Sequence, residues 1–151
     1  MQQERKDWSP QEDYNLTAAE AASRRGGLHV VVACPWVLQL DLDEGMSVNE
    51  DVASLLRDNG WITTERLTTT SQNGNQHVYI RTARWIDDLN RSGLQSMLGS
   101  DPKRETLSWM RLQRDPEGMD EGPATVLFET DEHYSRAKHF VNYCNTGEVK
   151  F

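Results

Sequence analysis

Cysteine is scarce in this chain of 151 residues: only Cys34 and Cys144 are present, and they do not form a CxxC pair. Two cysteines cannot build a disulfide framework, and the chain has no Cys/His cluster with the spacing of a zinc motif. It also lacks an apolar run near the ~20 residues of a membrane helix, and its polar first residues lack the apolar segment of a signal peptide. We therefore expect neither a membrane protein nor a secreted one, but a cytoplasmic chain.

Basic residues are outnumbered, with 16 Lys and Arg against 24 Asp and Glu and a net charge of −8. A chain of this charge repels a polyanion at long range, which excludes an autonomous DNA binder of the histone-like or basic-arm type. A local basic surface is still compatible with this balance, and so is a site where carboxylates hold a metal ion. Hydrophobic residues make up 36% of the chain and include five Trp, four Tyr and three Phe. These residues are enough to build a core, so wholesale disorder is not expected.

The hydrophobic pattern predicts a single α+β domain over residues 17–151, preceded by a polar segment over 1–16 that we expect to be mobile. After a helix over 17–25 and a β-branched run over 29–33, it predicts a strand (36–43), a helix (48–58), a hairpin (62–70 and 77–81), two helices (87–98 and 101–113), a strand (124–128) and a helix (131–143). Without the N-terminal pieces, the order β-α-β-β-α-β predicts an RRM-like or ferredoxin-like sheet with helices packed on one face. The N-terminal and C-terminal helices are additions to that sheet.

Two carboxylates close the first strand of the predicted sheet. The alternation of leucines with polar residues over 38–43 places Asp41 and Asp43 on the same face, about 7 Å apart at Cβ. Carboxylates at this spacing can share one or two hard divalent cations, as they do in phosphoryl-transfer sites. A strand end that runs into solvent is the alternative interpretation of the same two residues.

The predicted hairpin carries a second candidate group at its turn. Ser71-Gln-Asn-Gly-Asn75 is a polar turn in which Gly74 supplies a positive φ, and His77 begins the returning strand. The hydroxyl, amide and backbone N–H groups of this turn are candidate donors to an anion. An ordinary edge histidine beside a routine turn is the alternative.

These motifs, in this order, resemble the archaeo-eukaryotic primase superfamily, whose catalytic domain is the prim-pol fold. The resemblance covers residues 36–131 and rests on Leu40-Asp-Leu-Asp43, similar to the DxD motif of the family, and on Ser71-Gln-Asn-Gly-Asn-Gln-His-Val-Tyr-Ile80, similar to its SxH motif. It implies that Asp41 and Asp43 bind the catalytic Mg²⁺ or Mn²⁺ ions. It also implies that Ser71 and His77 contact the phosphates of the incoming nucleotide.

The same resemblance implies a third acidic metal ligand on a later strand. Glu129, which follows the predicted strand 124–128, is the best candidate, and Asp131 is the second.

A further anion site is predicted where a Gly-Ser turn leads into the helix 101–113. The helix dipole, free N–H groups and the cations of Lys103 and Arg104 converge at this point, and such a helix start can bind phosphate. Plain capping of the helix by Ser100 or Asp101, with both cations solvated, is the alternative.

The leading hypothesis is a phage- or plasmid-type DNA replication protein that performs divalent-metal-dependent nucleotidyl transfer. The predicted site residues are Asp41, Asp43 and Glu129 for the metal ions, and Ser71, His77, Lys103 and Arg104 for the phosphates of a nucleoside triphosphate. The negative charge implies that a partner helicase or DNA-binding protein delivers a single-stranded DNA template. Two alternatives stay open: a non-catalytic RRM-like adaptor or inhibitor that binds a host or replisome partner, and a metal-dependent nuclease that uses the same carboxylates.

Overall fold

A computed structural model of the chain describes residues 26–146 as an α+β fold; the predicted segment 1–16, the predicted helix 17–25 and residues 147–151 lie outside the described residues. The strands are β1 (His29–Val32), β2 (Val37–Leu42), β3 (Ile62–Thr70), β4 (Gln76–Thr82) and β5 (Val126–Glu129). The helices are α1 (Glu50–Asp58), α2 (Asp88–Met97), α3 (Pro102–Arg114) and α4 (Asp131–Thr146). None of these helices of the described range is long and apolar enough to span a membrane.

The predicted strands and helices that fall within the described residues are all present, with ends shifted by no more than three residues. Helix α1 begins two residues later than predicted because Asn49 is its N-cap and accepts a hydrogen bond from the Val52 N–H. Helix α3 is capped by Asp101, whose side chain accepts a hydrogen bond from the Lys103 N–H. Capping by Asp101 is therefore confirmed, but the expectation that both cations are solvated is wrong for Arg104, which donates to the carbonyls of Gln39 and Val126.

Strands β2, β4 and β3 form a three-stranded sheet in that order, and each neighbouring pair is antiparallel. Strands β2 and β3 therefore run parallel to each other with β4 between them, and α1 connects them. The turn of the hairpin lies between β3 and β4, as the Ser71–Asn75 pattern predicts, and Gly74 has a φ of 86° there.

The fourth predicted strand does not extend this sheet. Strand β5 pairs antiparallel with β1, from His29↔Glu129 to Val32↔Val126, and the two form a separate two-stranded sheet. The prediction of one four-stranded sheet is corrected accordingly for the described part of the chain. The β-branched run over 29–33, which the predicted sheet does not include, forms β1 and is the hydrogen-bonding partner of β5.

Side chains from the α2–α3 region occupy the edge of β2 at which a fourth strand would pair. The Gln39 N–H donates to Gln95 Oε1 at 2.8 Å, and the Gln39 carbonyl accepts from Arg104 Nη1 at 2.6 Å. Two residues along the strand, the Asp41 N–H donates to Ser100 Oγ at 3.0 Å. Backbone groups at a buried strand edge need partners, and these side chains supply them without a neighbouring strand.

The three-stranded sheet carries helices on both faces. Leu38, Leu40 and Leu42 are fully buried on one face, where they pack with residues of α1 and α2. Tyr79 lies on the opposite face and packs with residues of α4. The prediction that helices share one face holds for α1 and α2, whereas the C-terminal helix covers the other face.

Candidate functional site

A row of three polar side chains crosses the sheet close to the hairpin turn. Asp41 of β2 and Thr69 of β3 are the register partners of His77 on β4, one on each side. Directly opposed residues project from the same face of a sheet, so these three side chains are neighbours. The sequence predicted Asp41 and His77 as site residues, but not Thr69 beside them.

Glu129, the last residue of β5, reaches this row from the second sheet. Its side chain is fully buried, and its two oxygens accept hydrogen bonds from neighbouring side chains. Thr69 Oγ1 donates at 2.8 Å, the Tyr79 hydroxyl donates at 2.5 Å, and Nδ1 of His77 lies 3.0 Å from Oε1. Glu129 is therefore enclosed by protein groups behind His77, a position that differs from the predicted one, in which its carboxylate faces the metal ions.

This enclosure keeps Glu129 ionised. Burial alone raises the pKa of Glu129, but His77 and the hydrogen bonds from Tyr79 and Thr69 outweigh burial and hold this pKa below its usual value. Burial and the adjacent Glu129 carboxylate raise the pKa of Tyr79 well above its usual value. The Tyr79 hydroxyl therefore stays protonated and donates to a carboxylate anion.

We expect the lowered pKa of Glu129 to make the fold sensitive to acid. A carboxyl whose folded-state pKa is depressed stabilises the fold above its unfolded value, 4.5, and that stabilisation is lost as the pH falls through the lower folded value. Replacing Tyr79 with Phe removes one hydrogen bond that lowers this pKa. The difference in free energy of unfolding between neutral pH and pH values below 4.5 should therefore be smaller in Tyr79→Phe than in the wild type.

Urea unfolding across this pH range measures the effect, and Tyr134→Phe, a change at a half-buried tyrosine of α4, serves as the matched control. Equal acid sensitivity in the wild type and Tyr79→Phe would contradict the assigned role of the Tyr79–Glu129 hydrogen bond.

Asp41 lies on the other side of the imidazole ring. Its Oδ1 atom is 3.7 Å from Nε2 of His77 and has no hydrogen-bond partner. Both backbone groups of Asp41 are hydrogen-bonded: its N–H donates to Ser100 Oγ, and its carbonyl accepts from the Asp101 N–H at 2.8 Å. Burial raises the pKa of Asp41, and the opposing electrostatic effects of His77 and Arg104 do not cancel that increase. The Asp41 backbone is thus fixed, while its Oδ1 atom accepts no hydrogen bond.

Asp41 and His77 open into a cavity of about 490 Å³ between the hairpin turn, helix α3 and strand β5. Five of the seven residues predicted from the sequence line this cavity: Asp41, Ser71, His77, Lys103 and Arg104. They come from β2, the hairpin turn, β4 and the first turn of α3. The structure therefore brings the two motifs and the basic helix start to one place.

Besides His77, Arg104 and Ser71 also make hydrogen bonds to other parts of the protein. Arg104 donates to Glu105 at 2.8 Å and to the carbonyl of Val126 at 2.9 Å, in addition to the Gln39 carbonyl. Arg104 therefore joins β2 to β5 at the wall of the cavity. The Ser71 hydroxyl accepts a hydrogen bond from the Asn75 N–H at 3.0 Å and closes the turn.

The predicted carboxylate trio is not assembled around the cavity. Asp43 is exposed after the end of β2, near enough for its charge to raise the pKa of Asp41, and Glu129 lies behind His77. Within residues 26–146, no group of three or more His, Cys, Asp or Glu side chains is arranged to hold a metal ion. The metal-binding roles of Asp41, Asp43 and Glu129 stay predictions.

Leu107 and Arg111 of helix α3 also line the cavity, although the sequence did not indicate them as site residues. Together with Lys103 they are spaced four residues apart, which places all three along one face of the helix. That spacing was a usable signal, because it predicts two cations and an apolar residue on the same helix face.

Comparison of the chain with protein-family models, with curated proteins and with solved structures gives no match.

Proposed function

We propose that the cavity beside Asp41 and His77 binds a nucleoside triphosphate together with Mg²⁺ or Mn²⁺, and that the chain performs metal-dependent nucleotidyl transfer in DNA replication. The observation that supports this proposal most strongly is the composition of the cavity. A carboxylate with one oxygen that accepts no hydrogen bond, a histidine and the cationic first turn of a 13-residue helix line one space. A metal ion with a polyphosphate needs this combination of groups.

The cations of the cavity are distributed in a way that suits an extended anion. Lys103 lies at the start of α3, where the helix dipole favours negative charge. Arg111 lies eight residues further along the same helix, about 12 Å away at 1.5 Å per residue. A single phosphate would not reach both side chains, whereas a triphosphate with its nucleoside spans this length.

The remaining lining is apolar enough for a nucleoside. Leu28, Leu107 and Phe128 line the same cavity as the charged groups. Its volume of about 490 Å³ lies in the usual range for small-molecule sites, roughly 300–1,000 Å³. In this proposal the phosphates lie at the Asp41 end and the base and sugar contact the apolar residues.

The strand order supports the RRM-like or ferredoxin-like assignment as part of the same proposal. Strands β2, β4 and β3 with the crossover helix α1 have the arrangement of a split βαβ unit. In this assignment, β5 is displaced from its usual place by the α2–α3 side chains at the edge of β2. The net charge of −8 fits a protein that receives its single-stranded template from a partner helicase or DNA-binding protein.

Calorimetric titration tests the proposed ligand. We expect heat when Mn²⁺ and a non-hydrolysable nucleoside triphosphate are added together, and much weaker binding of either one alone. Lys103→Ala should weaken triphosphate binding by about tenfold or more, because a hydrogen bond to a charged group contributes about 1.5–3 kcal/mol. Lys138→Ala, at an exposed lysine of α4 away from the cavity, should bind as the wild type does.

The absence of heat under all these conditions would refute the proposal and favour the adaptor alternative. One observation already supports that alternative: Leu107, Trp109 and Met110 of α3 are 56%, 51% and 43% exposed, a surface suited to a protein partner. If the protein instead degrades single- or double-stranded DNA in the presence of Mn²⁺, it is a nuclease.

A further inference from the structure

We propose that His77 is itself a metal ligand, and that its Nε2 atom and a carboxylate oxygen of Asp41 hold the divalent ion between two neighbouring strands. Glu129 positions the imidazole from behind. This inference rests on the proposed function and specifies it further, because it assigns His77 to the metal rather than to the phosphates.

The orientation of the His77 ring is determined by Glu129. The His77 side chain is only 6% exposed, and its Nδ1 lies 3.0 Å from the fully buried Glu129 carboxylate. The same carboxylate accepts hydrogen bonds from Thr69 Oγ1 and from the Tyr79 hydroxyl, so its oxygens act as acceptors towards the groups around them. Nδ1 is therefore the ring nitrogen that donates to Glu129, and Nε2 is the one that faces Asp41 and the cavity.

Nε2 of His77 and the Asp41 carboxylate lie side by side at the wall of the cavity. Asp41 Oδ1 is 3.7 Å from Nε2 and has no hydrogen-bond partner. An imidazole nitrogen and a carboxylate oxygen are both common ligands of divalent transition-metal ions. The cavity beside both groups has room for such an ion with its water ligands.

The distance between His77 Nε2 and Asp41 Oδ1 suits two ligands of one metal ion after a small movement of the Asp41 side chain. Two donors at about 2.1 Å from one ion are about 3.0 Å apart in octahedral and about 3.4 Å apart in tetrahedral geometry. The observed 3.7 Å closes to these values by a rotation of the Asp41 side chain. A carboxylate behind a metal-bound histidine, as Glu129 is here, is the usual support for such a ligand.

The ligand set also indicates the class of metal. One imidazole nitrogen and one carboxylate favour Mn²⁺, Co²⁺ or Zn²⁺ over Mg²⁺, which prefers oxygen ligands alone. Since the described residues form no group of three protein ligands, water and phosphate oxygens must complete the coordination. The site therefore binds metal and polyphosphate jointly.

Pulsed electron paramagnetic resonance of bound Mn²⁺ tests the proposal, because it detects nitrogen nuclei directly coordinated to the ion. The full chain is loaded with Mn²⁺ and inorganic tripolyphosphate, a probe that contains no nitrogen. We expect an imidazole nitrogen signal that changes when the histidines of the wild-type protein are labelled with ¹⁵N. The signal should be lost in His77→Gln and retained in His139→Gln, at an exposed histidine of α4.

The outcomes separate the two proposals. Mn²⁺ and tripolyphosphate that bind without a histidine nitrogen signal would refute the role of His77 as a ligand and leave the proposed function standing. A nitrogen signal that persists in His77→Gln would also refute it. No binding of Mn²⁺ with tripolyphosphate would refute both proposals, and the labelled wild-type protein gives this answer even if the variant does not fold.

Discussion

Replacing Asp41 with Asn is expected to weaken the joint binding of Mn²⁺ and nucleoside triphosphate by roughly 100-fold. Removal of one partner from a desolvated charge pair costs about 2–5 kcal/mol, and 2.8 kcal/mol corresponds to about 100-fold in affinity. Oδ1 of Asp41 accepts no hydrogen bond and the residue lines the cavity, so the amide removes the charge to which we assign metal binding.

The same substitution should leave the fold at least as stable as in the wild type. Burial raises the pKa of Asp41, which means that the folded state disfavours its charged form at neutral pH. Asn removes that charge and retains the backbone hydrogen bonds to Ser100 and Asp101. A change that weakens ligand binding without loss of stability is typical of a residue retained for function.

Glu44→Gln is the matched control for this experiment. Glu44 is an exposed residue of the turn after β2, and the substitution removes the same charge three residues from Asp41. We expect its affinity to stay close to that of the wild type. Asp41→Asn that binds Mn²⁺ and triphosphate as tightly as Glu44→Gln does would contradict the assignment of Asp41.

Replacing Glu129 with Leu is expected to lower the free energy of unfolding by about 3–5 kcal/mol. The substitution leaves the donors of Thr69, His77 and Tyr79 buried without an acceptor, and breaking a buried polar or ionic pair from one side has a cost of this size. Glu129→Gln keeps the shape and one acceptor oxygen, so its loss should be smaller, about 1–3 kcal/mol.

Urea unfolding at neutral pH measures the decrease in the free energy of unfolding for both Glu129→Leu and Glu129→Gln. Glu132→Gln, at a carboxylate that is 82% exposed at the start of α4, serves as the control and should change stability by less than about 0.5 kcal/mol. If Glu129→Leu were as stable as Glu132→Gln, the hydrogen bonds to Glu129 would not be holding β5 against the sheet.

The local parts of this fold could be predicted because each rests on a short sequence pattern. The hairpin is the clearest case: residues 62–70 are rich in threonine and other β-branched residues, and a polar turn with Gly74 follows. Its predicted first strand agrees with β3 at both ends. The pairing of β5 could not be predicted in this way. It depends on side chains such as Gln95 and Arg104, which fill the edge of β2 from positions 56 and 65 residues away along the chain.

The sequence also predicted part of the candidate site. The motifs brought Asp41 and His77 into consideration, and the register of β2 with β4 places them directly opposite each other. The sequence did not indicate that the Arg104 guanidinium donates to backbone carbonyls. Nor did it indicate that the Glu129 side chain faces His77 instead of the cavity. Both facts depend on which side of β5 faces the sheet, and a pattern of four residues does not determine that.

A crystal structure of the full chain with Mn²⁺ and a non-hydrolysable nucleoside triphosphate, phased to show the anomalous scattering of manganese, tests the central claim most directly. We predict a manganese peak about 2.0–2.3 Å from a carboxylate oxygen of Asp41 and from Nε2 of His77, with the triphosphate beside Lys103. Manganese bound elsewhere on the chain, with the cavity free of nucleotide, would contradict it.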